Sequence, residues 1–236
     1  MAQMKISAKA LGALALPNFC PRCFWITIHC SKLPFQIFPG IFSSIDSYTK
    51  KVTNIHFDRH NRLPSWLGSF GVDAKPVKVP HHSKFKVLHE KTDIVLNGMP
   101  DEILQKEDGS YLILDYKTSK YTKTQDSLLP LYEVQLNAYA YIARRNGFDP
   151  VTGLVLVYME PQTDLSIDNL DSFIQEDGFM MEFGGHTKEV TLNDEKMIPP
   201  LLTEARRIYD HPAPPNGNVG CKDCLLLDEL INIVKD

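Results

Sequence analysis

The chain has no run approaching eighteen uncharged apolar residues, the length a membrane-crossing helix needs, so a membrane is excluded from its expected partners. It also lacks an excess of one charge. The 25 Lys and Arg against 29 Asp and Glu leave a net charge of -4, which gives no overall basic footprint for coating nucleic acid regardless of sequence. Local basic clusters do occur, at Lys117, Lys120 and Lys123 and at Lys78, His81, His82, Lys84 and Lys86. There is no internal repeat, and no linker-like stretch is longer than "HPAPPNGNVG", His211 to Gly220. The opening "MKISAKALGALALPNFC" imitates a secretory leader, yet Lys9 interrupts its apolar run and no small-x-small cleavage site follows. What remains is ordinary globular composition, 43% hydrophobic and 23% charged over 236 residues, enough to bury a full core.

Cysteine is scarce and odd in number, which with no convincing export signal argues against a disulfide framework and for a reducing, cytoplasmic compartment. Four of the five cysteines form two equally spaced pairs, Cys20-x-x-Cys23 and Cys221-x-x-Cys224, and Cys30 stands alone. Four thiolates suffice for tetrahedral zinc or for an iron-sulfur cluster. Joint ligation requires the two chain ends to meet, so a single domain is expected, with a core over about 40–210 and a cysteine site built from 17–30 and 217–228.

Hydrophobic periodicity predicts a short helix over 5–16 capped by Ser7, and a helix over 42–60 capped by Ser43 or Ser44. A stretch rich in Pro and Gly, "LPSWLGSFGVDAKPVKVP", reads as irregular. Strands are expected near 84–89, 93–97, 101–106 and 110–117, then a helix over 128–145 and a β-branched strand over 153–159. Weak strands near 178–184 and 187–192 precede helices over 194–209 and 225–234. That order of three or four antiparallel strands, a helix and a returning strand predicts an α/β fold with a mixed sheet flanked by helices.

Within it, Glu107-Asp108-Gly109 fits a three-residue hairpin loop, which sets Lys106 opposite Ser110 and, counting outward, Asp101 opposite Asp115. A two-residue Asp108-Gly109 turn would instead bring Glu102 opposite Asp115. Two carboxylates facing across a ladder repel unless a positive charge lies between them, and a divalent cation supplies it. Mg²⁺ accepts a few carboxylate and carbonyl oxygens plus water, a set that Asp101, Asp115 and the Tyr116 carbonyl offer. Lys117 shares the Asp115 face and is placed to hold or deprotonate an attacking water, so phosphodiester hydrolysis is the natural reading. In the following helix, Leu131, Gln135, Ala138, Tyr139 and Ile142 form one stripe. A buried amide without partners costs about 1 to 3 kcal/mol, so Gln135 is expected to face a polar pocket, with Tyr139 one turn on.

Together, Gly98-x-Pro100-Asp101, Asp115-Tyr116-Lys117-Thr118 and Gln135-x-x-x-Tyr139 resemble the PD-(D/E)xK nuclease superfamily, in particular its RecB-like and CRISPR-associated exonuclease branch. "ISAKALGALALPNFCPRCFWI" is similar to the opening segment of that branch. The resemblance touches 6–28, 92–145 and 221–224. It implies a restriction-endonuclease-like core, metal binding by Asp101 and Asp115, action of Lys117 on water, and positioning of substrate or lysine by Gln135 and Tyr139. It further implies Mg²⁺ or Mn²⁺ as cofactor, DNA with single strands or free ends as substrate, and partner proteins of a repair, recombination or CRISPR complex. By the same resemblance the cysteines hold a 4Fe-4S cluster, although their division two and two is also reminiscent of zinc. The branch carries a metal-binding histidine in a Gly-x-x-x-His pattern that is missing here. Asp46 lies where that helix would be and is the candidate replacement, with His56, His60 and His89 weaker ones. The competing expectations are a non-catalytic nucleic-acid-binding or assembly module that keeps fold and cysteines, and a zinc-stabilised adaptor.

Overall fold

The computed structural model describes residues 3–30, 39–121, 127–164, 166, 168 and 170–235. Its elements in chain order are β1 (Met4–Ser7), α1 (Ala8–Gly12), α2 (Pro21–His29), α3 (Gly40–His60), β2 (Ala74–Val77), β3 (Lys86–His89), β4 (Ile94–Asn97), β5 (Glu102–Lys106), β6 (Tyr111–Lys117) and α4 (Leu129–Arg144). Then follow β7 (Val151–Pro161), β8 (Ile174–Gln175), β9 (Gly178–Phe179), β10 (Phe183–Val190), α5 (Asp194–Tyr209) and α6 (Lys222–Lys235). A five-stranded mixed sheet has the order β10-β7-β6-β5-β2, in which only β6 and β7 run parallel. A three-stranded sheet, β1-β4-β3, stands apart from it, and β8 and β9 form a small hairpin. Among the described residues no helix is long and apolar enough to cross a membrane.

Three expectations are corrected. The helix over 5–16 begins only at Ala8, because Met4 and Ile6 alternate with exposed neighbours and pair as a strand with β4. Ser7 is nevertheless the cap, its Oγ accepting the Ala10 N–H at 3.1 Å. The strands near 84–89 and 93–97 do not extend the 101–117 hairpin into one antiparallel set; they pair with each other, and the second of them, β4, pairs on its other edge with β1, a partner distant in sequence. The stretch read as irregular contains β2, where Pro76 is tolerated because β2 is an edge strand.

The five-stranded sheet is buried on both faces, as the parallel β6–β7 pair requires. Ile103, Ile113, Leu154, Leu156 and Tyr158 face α4, α1 and α5, while Leu104, Leu112, Leu114, Tyr116, Val155 and Val157 face the other way, toward Phe57 of α3 and Leu63 and Leu67. Period-two alternation along β6 therefore sends Asp115 and Lys117 to the α4 face and Tyr116 to the α3 face. Helix α4 is enclosed nearly all round, with Ala138, Ala140, Ile142 and Ala143 fully buried.

One buried polar residue ties α4 down. Asn137 is fully buried, its amide donating to the Glu133 and Thr191 carbonyls at 2.9 and 3.0 Å and its Oδ1 accepting the Asn193 N–H at 2.7 Å. Asn137→Ala removes the side-chain bridge from α4 to the Thr191 carbonyl and the Asn193 amide and leaves a void at a fully buried position. It should lower stability by about 2 to 4 kcal/mol in urea unfolding, whereas a loss under about 0.5 kcal/mol would contradict this role.

Candidate active site and cysteine centre

The hairpin loop sets the site. Gly109 adopts φ 83°, its N–H donates to Lys106 O at 3.0 Å, and Lys106 N–H donates to Ser110 O at 2.9 Å. This is the three-residue loop, so Glu102 pairs with Leu114, Ile103 with Ile113 and Leu104 with Leu112. One step further along the same register, Asp101 stands opposite Asp115. Asp101 precedes β5 and its Oδ2 accepts the Tyr116 N–H at 2.7 Å. A residue on a strand directs its N–H and C=O to the same edge, so the Tyr116 carbonyl also faces Asp101.

Both carboxyls are held above the usual carboxylate range. Burial and then the charge of Asp115 push Asp101 up to about 6, against the pull of Lys50. Burial raises Asp115, opposed by Lys117 and Lys50. Asp115 Oδ2 lies 2.5 Å from Lys117 Nζ, but off the direction of a hydrogen bond, so this buried oxygen lacks a regular hydrogen-bond partner. A buried, underneutralised carboxylate pair beside a main-chain carbonyl fits a divalent cation, and Asp101, Asp115 and the Tyr116 carbonyl would hold it.

Lys117 is fixed from the helix side. Its Nζ donates to Gln135 Oε1 at 3.1 Å and lies 4.2 Å from the centre of the Tyr132 ring, while Gln135 Nε2 donates to the Tyr139 hydroxyl at 2.7 Å. Gln135 is 5% exposed, so the amide that interrupts an apolar stripe is satisfied by the lysine and the tyrosine. Gly98 belongs to the same arrangement. A Cβ there would come within 2.5 Å of the Tyr139 ring, so the tyrosine keeps its place only against a glycine.

Helix α3 contributes residues that sequence reasoning missed. Lys50 Nζ lies 2.6 Å from Asp101 Oδ1 and 2.8 Å from Asp46 Oδ2. Asn54 Nδ2 donates to Glu102 Oε1 at 3.0 Å, and Thr53 exchanges a 3.0 Å hydrogen bond with the Tyr116 hydroxyl. Burial raises Glu102 to about 7 despite the Asn54 amide. Asp46 thus reaches the site through Lys50. The histidine candidates are engaged elsewhere: the His56 and His60 rings meet at 4.6 Å, tilted by 45°, and His89 bonds Thr92 at 2.8 Å. His56, with Arg62, Lys75 and Glu107, lines a hollow of about 850 Å³ at the turn end of β5 and β6, away from the carboxylates. Of the basic clusters, Lys123 lies outside the described residues.

Each cysteine pair opens a helix, Cys20 and Cys23 at α2 and Cys221 and Cys224 at α6, where helix N-termini favour negative charge. The four Sγ atoms lie within 4.8 Å of one another, with contacts of 3.6 Å (Cys20 to Cys224), 3.7 Å (Cys23 to Cys221) and 3.5 Å (Cys23 to Cys224). Arg22 clamps the two helices through Asp228, at 2.6 and 3.0 Å. Burial and neighbouring thiols push Cys23 up, whereas at Cys20 the upward push of burial is outweighed by main-chain donors at Cys23 and Asn218 together with the Cys224 and Cys221 thiols, which bring it down to about 6. Thiols this close cannot all ionise unaided, so the set fits a metal centre that joins the two chain ends. Cys30, the fifth, is exposed and free.

A family model described as "PD-(D/E)XK nuclease superfamily" matches residues 48–228. That span takes in 48–85 and 160–220, which the sequence resemblance left largely unclaimed. No curated protein matches the chain. Among solved structures, the crystal structure of SSO0001 is similar at 12% identity and a TM-score of 0.41, covering 91% of this chain and 81% of that one.

The raised carboxyls give a pH dependence with a definite sign. A folded-state value of about 6 for Asp101 lies above that of the unfolded chain, so the metal-free fold loses stability as pH rises through that range, and a cation that takes up the charge restores it. Mn²⁺ should therefore raise the melting temperature little at pH 5 and clearly more at pH 7.5, read by scanning calorimetry. An equal rise at both pH values would contradict the pairing.

Proposed function

The chain belongs to the PD-(D/E)XK nuclease superfamily, and from that premise we propose that it is a divalent-metal-dependent nuclease hydrolysing phosphodiester bonds of DNA, at single strands or free ends. The observation that carries this reading is the placement of Lys117 against both Asp115 and Gln135, with Asp101 across the ladder. Asp101, Asp115 and the Tyr116 carbonyl would hold Mg²⁺ or Mn²⁺. The bound ion supplies Lewis-acid stabilisation and a more acidic water. Lys117 would orient the attacking water or take its proton, and in its ammonium form would stabilise the negative charge developing on the phosphate. Gln135 fixes the lysine from one side and Tyr139 fixes Gln135, so the reacting amine is held before substrate arrives. One P–O bond forms to the water oxygen as the P–O bond to the leaving strand breaks. A single domain, a cytoplasmic location and a role in repair, recombination or CRISPR adaptation with partner proteins belong to the same proposal.

The non-catalytic reading keeps one observation in its favour, the Lys50 ammonium that already neutralises Asp101. The two separate on a labelled single strand with Mn²⁺. Wild type should degrade it, and Lys117→Ala and Asp115→Asn should each reduce the rate by at least about a hundredfold with the fold intact by circular dichroism. Rates equal to wild type in both variants would remove the nuclease reading.

For the cysteines we propose a single zinc ion. Tetrahedral Zn²⁺ with Zn–S bonds of about 2.3 Å sets its sulfurs about 3.8 Å apart, close to the 3.5 to 3.7 Å contacts found here. A 4Fe-4S cubane places its thiolates on four separate irons, roughly 6 Å from one another, beyond the 4.8 Å span of this set. The sulfur spacing therefore supports zinc over the cluster that the resemblance implies. Anaerobically purified protein should be colourless with one zinc per chain, and a brown preparation containing iron and inorganic sulfide would overturn this.

A further inference from the structure

We infer that Lys50 is a positioning residue that sets the metal affinity of the carboxylate pair, occupying Asp101 when no divalent ion is bound and withdrawing to Asp46 when one is. The inference rests on the reading of Asp101 and Asp115 as the metal pair. Helix α3 places Asp46, Lys50 and Asn54 four residues apart on one face, and that face meets the start of β5: Lys50 reaches Asp101 and Asn54 reaches Glu102. Both oxygens of Asp101 are consequently engaged, Oδ1 by the Lys50 ammonium at 2.6 Å and Oδ2 by the Tyr116 amide at 2.7 Å. The amide is fixed in the strand. The ammonium ends a flexible four-carbon stem, so Oδ1 is the oxygen that can be released.

A divalent ion on Asp101 would stand within a few ångströms of a like charge, and in a partly buried site that repulsion is only weakly screened. The lysine must move. Its second partner is already in reach, because Asp46 Oδ2 lies 2.8 Å from Nζ and is the more solvated acid, with a side chain 42% exposed against 15% for Asp101. Lys50 can therefore leave Asp101 without losing an ion pair, by rotating toward its own helix. Asp46, the candidate replacement for the missing histidine, acts here as the receiving carboxylate for Lys50 rather than as a ligand.

The test is Mn²⁺ binding, read by titration calorimetry and by the electron paramagnetic resonance signal of free Mn²⁺, neither of which needs turnover. Lys50→Met keeps the aliphatic stem and removes the competitor, so it should bind Mn²⁺ about tenfold more tightly than wild type, the effect of one ion pair in a partly solvated setting. Lys50→Arg retains the charge and should stay near wild type. Asp46→Asn removes the receiving partner and should weaken binding. Asp115→Asn should abolish binding at this site in every background. If wild type binds through Asp115 but Lys50→Met binds equally or more weakly, this inference fails while the nuclease reading stands. If neither wild type nor Lys50→Met binds Mn²⁺, both fail.

Discussion

Two carboxylates facing each other across the end of a ladder buried on both sides repel, and the charges around them are arranged in answer to that repulsion. Asp101 and Asp115 stand in register because a glycine-closed loop fixes the β5–β6 pairing, and burial, joined at Asp101 by the charge of Asp115, keeps them reluctant to ionise. Each then has a lysine from a different direction, Lys50 from α3 at Asp101 and Lys117 from β6 itself at Asp115. Lys117 is shared with an amide of α4, which leaves an Asp115 oxygen incompletely satisfied. A native core normally satisfies such atoms, and the proposed divalent ion would make good the shortfall.

The cysteine centre repeats the same physics with sulfur. Two helix N-termini bring four thiols within 4.8 Å, a density of prospective negative charge that only a cation stabilises. Its consequence is mechanical. Helices α2 and α6 are the flanks of the described chain, and α2 packs on α5 through Trp25, whose indole donates to the His211 carbonyl and whose ring stacks on His29 and, beyond it, Tyr209. A metal there would join α6 to this layer, while Leu225, Leu226, Leu230 and Ile233 of α6 remain exposed and add little burial of their own.

Much of this arrangement was legible because its signals are local. The loop Glu107-Asp108-Gly109 contains its own register rule, and period two then assigns Asp115 and Lys117 to one face without reference to anything distant. Gln135 stood out because an amide in an apolar stripe needs a partner, and Lys117 and Tyr139 are those partners. Lys50 was not legible for the opposite reason. Asp46 and Lys50 at i, i+4 on a half-exposed helix read as a surface ion pair, and only the docking of α3 against the start of β5 turns that pair toward Asp101. The division of the strands into two sheets was hidden likewise. The partner of β4 is β1, some ninety residues earlier, and a four-residue strand running straight into a helix leaves only Met4 and Ile6 as its trace.

The claim beneath all of this is that a single divalent ion bridges the opposed carboxylates. Crystals soaked in Mn²⁺ and measured at a wavelength where manganese scatters anomalously test it without appeal to activity. The account predicts one anomalous peak about 2.1 Å from an oxygen of Asp101 and an oxygen of Asp115 together, with Lys50 turned toward Asp46. A peak bonded to only one of the two aspartates, or a map with no peak between them while Lys50 still sits on Asp101, would contradict it.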